Sequence, residues 1–152
     1  MKVMVGGTFD PLHDGHKRLL TRSFELAGPD GFVVIGLTTD TFASRKVRPI
    51  RPFATREEEL KSFIGGRNYA TQWLIEPLSD RFGSAIEADF DAIVVSEETL
   101  PVAVEINRIR REKKKRKVDI HQITCVLAQD GRWISSTRIW RGEIDIHGNL
   151  IR

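Results

Sequence analysis

Short apolar runs alternate with segments of helical periodicity along this sequence, and this alternation limits the folds that the chain can adopt. Residues 32–37 form a near-continuous apolar run, which is typical of a strand buried on both faces of a parallel sheet. The preceding residues 14–27 carry apolar side chains at helical spacing. Because strands that alternate with helices build parallel sheets, the sequence predicts a doubly wound α/β fold.

The apolar runs and the turn signals between them predict about five strands. The predicted strands are residues 3–6, 32–37, 70–75, 92–95 and 120–127. The predicted helices are residues 14–27, 55–66 and 99–115, with a short terminal helix that opens at Ser135. Thr55 is the expected N-cap of the second helix, with Glu58 as its capping-box partner. Residues 38–52 are expected to form a basic loop, and residues 76–90 to be irregular or weakly helical.

Length and composition are those of one globular domain, which we expect to span residues 1–152. Hydrophobic residues make up 40% of the chain and charged residues 30%, far from the composition of disordered proteins. No apolar run approaches membrane-spanning length and the N-terminus lacks the pattern of a signal peptide, so we expect a cytoplasmic protein. The single cysteine, Cys125, excludes an internal disulfide and a cysteine metal cluster, and we expect it to be buried.

The net charge is only +3, but the basic residues are unevenly distributed. Eight of the ten residues from Arg108 to Lys117 are basic. Such a run can bind nucleic acid, or it can be the solvated end of a helix, where cations complement the helix dipole. No aromatic residue that could stack on bases is interleaved with the run, which favours the solvated helix end.

Residues 6–16, which follow the first strand, have the composition of a phosphate-binding segment. Gly6 and Gly7 allow a ligand to approach the backbone, and Thr8 offers a hydroxyl. The free N–H groups at the start of the following helix favour an anion. His13 and His16 lie three residues apart and would share one face of that helix, as a pair of hydrogen-bond donors.

A second segment near the end of the chain has similar chemistry. Ser135, Ser136 and Thr137 place three hydroxyls at a predicted helix start, and Arg138 follows them. These groups could cap the helix, or they could bind a polyphosphate through side-chain and main-chain donors. Ligands of open α/β sheets bind beyond the carboxyl ends of the strands, so both segments are candidates for one site.

The two segments together resemble the nucleotidyltransferase superfamily that carries the HxGH motif. The first is Gly7-Thr8-Phe9-Asp10 followed by His13-Asp14-Gly15-His16, and the second is Ile134-Ser135-Ser136-Thr137. Other segments resemble the archaeal and eukaryotic-type phosphopantetheine adenylyltransferases: Val94-Val95-Ser96-Glu97-Glu98-Thr99, Asn107, Arg110, Arg45-Lys46 and Arg141-Gly142-Glu143-Ile144-Asp145. The resemblance extends over nearly the whole chain and implies a Rossmann-like nucleotidyltransferase domain.

This resemblance implies transfer of AMP from ATP to 4′-phosphopantetheine, with dephospho-coenzyme A and pyrophosphate as products. The attacking group is a phosphate monoester that is already an anion at neutral pH, so the reaction requires no general base. Mg²⁺ is expected to enter with ATP, because the sequence offers no dedicated carboxylate cage and hence no metal site of its own. Neither a nucleic acid nor a membrane is expected as a partner, and the sequence does not indicate the oligomeric state.

The resemblance also assigns roles to individual residues. The implied catalytic residues are His16 at the α-phosphate, His13 at the nucleotide phosphates and Lys46 between the attacking phosphate and the α-phosphate. The implied nucleotide-binding residues are Gly7, Phe9, His13, His16, Ser135, Ser136, Thr137 and Arg110. The implied acceptor-binding residues are Thr8, Asp10, Lys46 and Glu98.

Two alternatives remain at this stage. The first is another adenylyl- or cytidylyltransferase of the same superfamily, with FMN, nicotinamide mononucleotide or a polyol phosphate as acceptor, because the shared motifs bind the nucleotide rather than the acceptor. The second is a nucleic-acid-binding module based on residues 108–117.

Overall fold

A five-stranded parallel sheet forms the centre of the computed structural model, which describes residues 1–44 and 48–151. The strands are β1 (Lys2–Gly7), β2 (Phe32–Thr38), β3 (Gln72–Leu78), β4 (Ala92–Val95) and β5 (Asp119–Gln122). Their order across the sheet is β3-β2-β1-β4-β5, and every neighbouring pair is parallel. The predicted doubly wound α/β sheet is therefore confirmed.

Helices cover both faces of this sheet. They are α1 (Asp14–Ala27), α2 (Asp40–Ala43), α3 (Phe53–Gly66), α4 (Leu100–Glu112) and α5 (Ser136–Trp140), with a 3₁₀ turn at Gly83–Ala85. Successive side chains of a strand point to opposite faces. Val3 and Val5 accordingly pack in the core beneath α1 and α3, whereas Met4 packs in the core beneath α4.

The strand order determines where a ligand can bind. The chain passes from β1 to β2 on one side of β1, and later places β4 on its other side. Connections therefore leave β1 and β4 in opposite directions, which opens a crevice beyond their carboxyl ends. The β1–α1 segment with Gly7, Thr8 and the two histidines lies at this crevice.

Two predicted strands end three or more residues from their predicted ends because of their neighbours in the sheet. Strand β3 runs to Leu78 instead of residue 75, since its pairing with β2 continues through Pro77 and Leu78. A proline fits there because β3 is an edge strand, where one side of the backbone needs no partner. Strand β5 ends at Gln122 instead of residue 127, because β4 ends at Val95 and Ile123 makes the last backbone hydrogen bond to it.

The predicted start of α3 is wrong. The helix begins at Phe53 and its N-cap is Pro52, so Thr55 lies inside the first turn and caps nothing. The Asp40 carboxylate accepts a hydrogen bond from the Phe53 backbone N–H at 2.8 Å, which replaces a local cap. Asp40 belongs to α2, a single turn within the region expected to be a loop.

The structure places the Arg110 side chain in the core, whereas the resemblance implies that it binds the nucleotide. Its side chain is fully buried on the same face of α4 as Ala103 and Ile106. The guanidinium donates hydrogen bonds to the carbonyl oxygens of Ala85, Ile86, Ala88 and Arg116, at 2.7–3.1 Å. A guanidinium has donors for several carbonyls at once, so Arg110 holds the segment before β4 and the end of α4 together.

The basic run extends beyond the helix that was predicted to contain it. Helix α4 ends at Glu112, three residues before the predicted end. Within the run, Arg108 pairs with Glu105 and Glu112, Lys113 pairs with Glu87, and Arg116 pairs with Asp91 at 3.3 Å. Of the basic residues in the run, only Arg108, Arg110 and Arg111 lie within α4, so most of the run follows the helix instead of ending it. The ion pairs neutralise much of its charge, which argues against a nucleic-acid surface.

We expect Arg110→Met to destabilise the protein, because the substitution leaves several carbonyl oxygens around the side chain without donors. Unsatisfied buried acceptors at this position predict a loss of about 2–4 kcal/mol in the free energy of unfolding. Urea unfolding measures this loss. Arg108→Met on the exposed face of α4 is the matched control, and equal losses for the two variants would contradict the assigned role.

Candidate functional site

A cavity of about 570 Å³ lies at the crevice between the carboxyl ends of β1 and β4. Its wall brings together residues that are far apart in the sequence, from the β1–α1 segment, the end of β2, the start of α4 and the start of α5. Most of the predicted site residues line this cavity: Gly7, Thr8, Phe9, His13, His16, Glu98, Ser135, Ser136 and Thr137. Convergence of two glycine- and hydroxyl-rich segments on one site is therefore observed.

Phe9 holds the β1–α1 segment in place. Its side chain is only 1% exposed, and its backbone has a φ of 51°, in the left-handed region. The Phe9 ring lies 4.9 Å from the His16 ring, centroid to centroid. It also passes close to Gly7, where an added Cβ would lie 3.3 Å from a ring carbon. Phe9 thus packs beneath the backbone that faces the cavity.

His13 and His16 cap the start of α1. His13 is the N-cap residue, and its Nδ1 accepts hydrogen bonds from the backbone N–H groups of Gly15 at 3.1 Å and His16 at 3.3 Å. His16 Nδ1 in turn accepts from the His13 backbone N–H at 3.4 Å. This is the reciprocal arrangement of a capping box, made here by two imidazoles.

The same arrangement stacks the two rings. Their centroids are 3.7 Å apart and their planes differ by 16°. Gly15 makes this possible, because an added Cβ would lie 2.9 Å from His13 Cε1. The sequence predicted a histidine pair on one face of a helix, and the structure adds that the pair itself begins the helix.

His13 is electrically neutral at pH 7. Burial lowers the pKa of His13 to about 4; nearby Arg48 lowers it further, and Asp14 partly opposes both. Since Nδ1 accepts hydrogen bonds from the backbone, the ring proton of the neutral form is carried by Nε2. His13 is therefore a neutral N–H donor at the wall of the cavity.

In the second predicted segment, residues 134–138, some side chains stabilise the fold and others line the cavity. Ser135 is the N-cap of α5, and its hydroxyl accepts from the Arg138 backbone N–H at 3.2 Å. Ser136 and Thr137, in the first turn, line the cavity. Arg138, expected to complement a polyphosphate, instead pairs with Asp130 and Glu143, and is absent from the lining that the structure describes.

Asp10, predicted to contact the acceptor, lies outside the cavity lining that the structure describes. Its carboxylate is buried and accepts from the Arg51 side chain and from the Arg51 backbone N–H at 3.0 Å. It also pairs with Arg48 at 3.6 Å. A buried carboxylate requires such partners, which occupy the oxygens that a substrate would otherwise contact.

Arg48 was not among the predicted site residues, since the sequence offered it only as a possible substitute for the loop lysine, Lys46. It lines the cavity, and its side chain is only 6% exposed. Burial lowers the pKa of its guanidinium, and the Asp10 carboxylate opposes this effect. The basic composition of residues 38–52 signalled a cation near the site, but it could not show that Arg48 is turned inward. Lys46, the predicted catalytic lysine, lies outside the described residues.

Thr38 and Arg56 were also missed. Thr38 ends β2 and lines the cavity. Arg56 is fully buried on α3, on the same face as Leu60 and Ile64. The spacing of four residues between these three positions was the available signal, because a charged residue in line with core residues must itself face the core.

Three other expectations concern the remainder of the site. Asn107 holds the backbone of Val118 through two hydrogen bonds of 2.8 Å, and so has a structural role. Cys125 is half-buried at the cavity wall instead of fully buried, and burial raises the pKa of its thiol. Within residues 1–44 and 48–151, no group of three His, Cys, Asp or Glu side chains is placed to hold a metal ion.

Comparison with known proteins identifies the family. Residues 4–142 match the family described as "Cytidylyltransferase-like". The phosphopantetheine adenylyltransferase of Archaeoglobus fulgidus is 43% identical over 99% of this chain and 100% of its own length. The enzyme of the same name from Methanosarcina acetivorans is 48% identical over 99% of this chain and 96% of its own length. The chain belongs to the phosphopantetheine adenylyltransferase family.

A solved structure has a similar fold. The crystal structure of a protein of unknown function from Archaeoglobus fulgidus superimposes with a TM-score of 0.72 at 38% identity. The match covers 80% of this chain and 97% of that chain. Among the described residues, no helix of this family member has the length and apolar character needed to cross a membrane.

We expect the free energy of unfolding to fall as the pH is lowered from 6.5 to about 4. The pKa of His13 is about 4 in the folded protein, against an ordinary value of 6.5. Between these values the unfolded chain binds more protons than the folded protein, so acid favours unfolding. The shift corresponds to about 3 kcal/mol, and His13 contributes no further loss below its folded pKa.

Urea unfolding at a series of pH values tests this expectation, with His13→Asn as the control. Asparagine keeps an acceptor for the cap of α1 but does not titrate. The variant should therefore lose stability less steeply than the wild type in this pH range. Parallel pH dependence in both proteins, or an NMR titration of His13 near its ordinary pKa, would contradict the neutral cap.

Proposed function

We propose that this chain transfers AMP from ATP to 4′-phosphopantetheine. An oxygen of the acceptor's phosphate attacks the α-phosphorus of ATP, and the bond between the α-phosphorus and the bridging oxygen breaks. Pyrophosphate leaves with that electron pair, and dephospho-coenzyme A is formed. The observation that carries the proposal is the convergence of His13, His16, Ser136 and Thr137 on one cavity at the crevice of the sheet.

The lining of the cavity suits a reaction between two anions. The attacking phosphate needs no base, so catalysis consists of positioning and of stabilising the charge that builds up on the transferred group. The neutral His13 is suited to donate its Nε2–H to a phosphate oxygen, and we assign to His16 the contact with the α-phosphate. Donors fixed before the reaction stabilise the transition state without reorganisation, and the cap of α1 fixes both rings.

Two groups of lining residues are suited to different parts of the reaction. Ser136 and Thr137 offer hydroxyls at the start of α5, where we place the β- and γ-phosphates that leave as pyrophosphate. Thr8 and the buried Arg48 are suited to the acceptor's phosphate. Lys46 is proposed from the resemblance to bridge the two reacting phosphates, and Mg²⁺ enters as part of the ATP substrate.

The remaining wall suits a flexible, partly apolar acceptor. Leu78, Phe82, Val102 and Ile106 pack in one hydrophobic cluster and give the cavity an apolar side. Glu98 lies near the start of α4. Pantetheine combines a dimethyl group with two amides and a thiol, so it can bury carbon against this side and hydrogen-bond to polar groups elsewhere.

The cytoplasmic location of the chain stays a prediction from its sequence.

An acceptor panel tests the proposed reaction. The protein is incubated with Mg-ATP and, separately, with 4′-phosphopantetheine, FMN, nicotinamide mononucleotide and glycerol 3-phosphate, and pyrophosphate release and product mass are measured. We expect pyrophosphate and dephospho-coenzyme A with 4′-phosphopantetheine alone. Pyrophosphate release with another acceptor would overturn the proposed acceptor but would still support nucleotidyl transfer. No release with any of the four would overturn the proposed reaction itself.

Replacement of His16 tests its role at the α-phosphate. We expect His16→Ala to lower kcat by roughly 10²–10³, the usual effect of removing a transition-state donor. His121→Ala on β5 is the matched control, because His121 lies outside the described cavity lining. Thermal unfolding confirms that both variants are folded. A kcat for His16→Ala close to that of the control would exclude His16 from the reaction.

A further inference from the structure

Arg56 is a fully buried arginine whose donors are directed at the segment that lines the cavity. Its Nε donates to the Arg51 carbonyl oxygen at 2.8 Å, and its Nη2 donates to the Asp40 carboxylate at 3.0 Å. Its Nη1 donates to two further acceptors at 3.2 Å, the Thr8 carbonyl oxygen and the Thr38 hydroxyl oxygen. Contacts on all three nitrogens fix the plane of the guanidinium.

The hydrogen bonds of Arg56 determine the direction of the Thr38 hydroxyl. A guanidinium can only donate, so the Thr38 oxygen is the acceptor in its bond with Arg56. The Thr38 hydroxyl keeps its one hydrogen to donate, and because the residue is only 5% exposed a nearby protein acceptor takes this hydrogen in preference to solvent. The Thr8 hydroxyl oxygen lies 3.0 Å away and supplies it.

The orientation of the Thr38 hydroxyl in turn determines the orientation of the Thr8 hydroxyl. Since the Thr8 oxygen accepts from Thr38, the hydrogen of Thr8 must point away from Thr38. Thr8 lines the cavity, and its backbone carbonyl is held by the same Nη1 that holds Thr38. Its side chain and its backbone are therefore fixed from behind, and the hydrogen that remains is available to a ligand in the cavity.

The charge of Arg56 strengthens this arrangement. In a chain of hydrogen bonds, each donor polarises the next group along the chain, and a positive charge at one end makes the last hydroxyl a better donor. The guanidinium, the Thr38 hydroxyl and the Thr8 hydroxyl form such a chain from the core to the cavity. An anion that binds next to Thr8 accepts a hydrogen bond from a hydroxyl whose orientation is already fixed.

We infer that Arg56 is a positioning residue that acts through Thr38 and makes the Thr8 hydroxyl a committed donor to the acceptor's phosphate. Arg56 is fully buried, so its guanidinium does not contact the phosphate itself, and its hydrogen bonds reach the cavity through Thr38 and Thr8. This inference rests on the proposed function, because it takes the ligand in front of Thr8 to be the phosphate of the acceptor. It predicts selectivity for a phosphorylated acceptor over the same molecule without its phosphate.

Two substitutions of Thr38 test the inference with little change of shape. Thr38→Val removes the hydroxyl and keeps the volume, whereas Thr38→Ser keeps the hydroxyl. Loss of one orienting hydrogen bond predicts a rise of about fivefold in KM for 4′-phosphopantetheine in Thr38→Val. We expect KM for ATP to change little, and Thr38→Ser to retain a KM for 4′-phosphopantetheine close to that of the wild type.

Competition by pantetheine separates positioning from a general loss of structure. Pantetheine lacks the phosphate, so its inhibition constant should be nearly the same in wild type and Thr38→Val. The inference is overturned if Thr38→Val weakens ATP or pantetheine as much as 4′-phosphopantetheine, or if it leaves all three unchanged. Failure of Thr38→Ser to restore a low KM would overturn it as well. Thermal unfolding of each variant identifies any loss of folded protein.

An NMR titration with inorganic phosphate, followed through the Thr8 amide signal, distinguishes failure of this inference from failure of the proposed function. Weaker phosphate binding by Thr38→Val than by Thr38→Ser supports the positioning role even if the acceptor panel shows another phosphorylated substrate. Equal phosphate binding by the two variants overturns the role even if 4′-phosphopantetheine is the substrate.

Discussion

The parallel pairing of β1 with β2 on one side and with β4 on the other decides where this protein can hold a ligand. Parallel pairing aligns the carboxyl ends of these strands at one edge of the sheet, and the reversal of strand order opens that edge at β1. The first helix then begins within reach of two strand ends. Glycine, hydroxyl and imidazole groups that are separated by more than a hundred residues meet there as a consequence of backbone pairing.

Two buried arginines occupy the same kind of position on a helix but have different roles. Arg56 and Arg110 each lie in line with apolar residues on the core face of a helix, and each donates to backbone carbonyls. Arg110 binds carbonyls of residues outside the described cavity lining, so we assign its contribution to stability. Arg56 reaches the residue that faces the substrate, so its hydrogen bonds contribute to the geometry of the site as well.

Local patterns in the sequence predicted the fold and part of the site. Helix α1 and strand β4 have the predicted boundaries, because their periodicity and turn signals lie within the segments themselves. The start of α3 was wrong because its cap is supplied by Asp40 from another element. Asp10 and Arg110 were misplaced for a related reason, since a motif specifies residue types but not which buried partners they bind. Tertiary contacts of this kind have no local signal.

The edge strand β3 has a further consequence for the surface of the protein. Pro77 lies within the strand and has no N–H to offer. A sixth strand, from this chain or from a second copy, would find a missing donor along that edge and would have to leave one of its own carbonyls unpaired. Growth of the sheet past β3 is therefore opposed at this position, which limits edge-to-edge association.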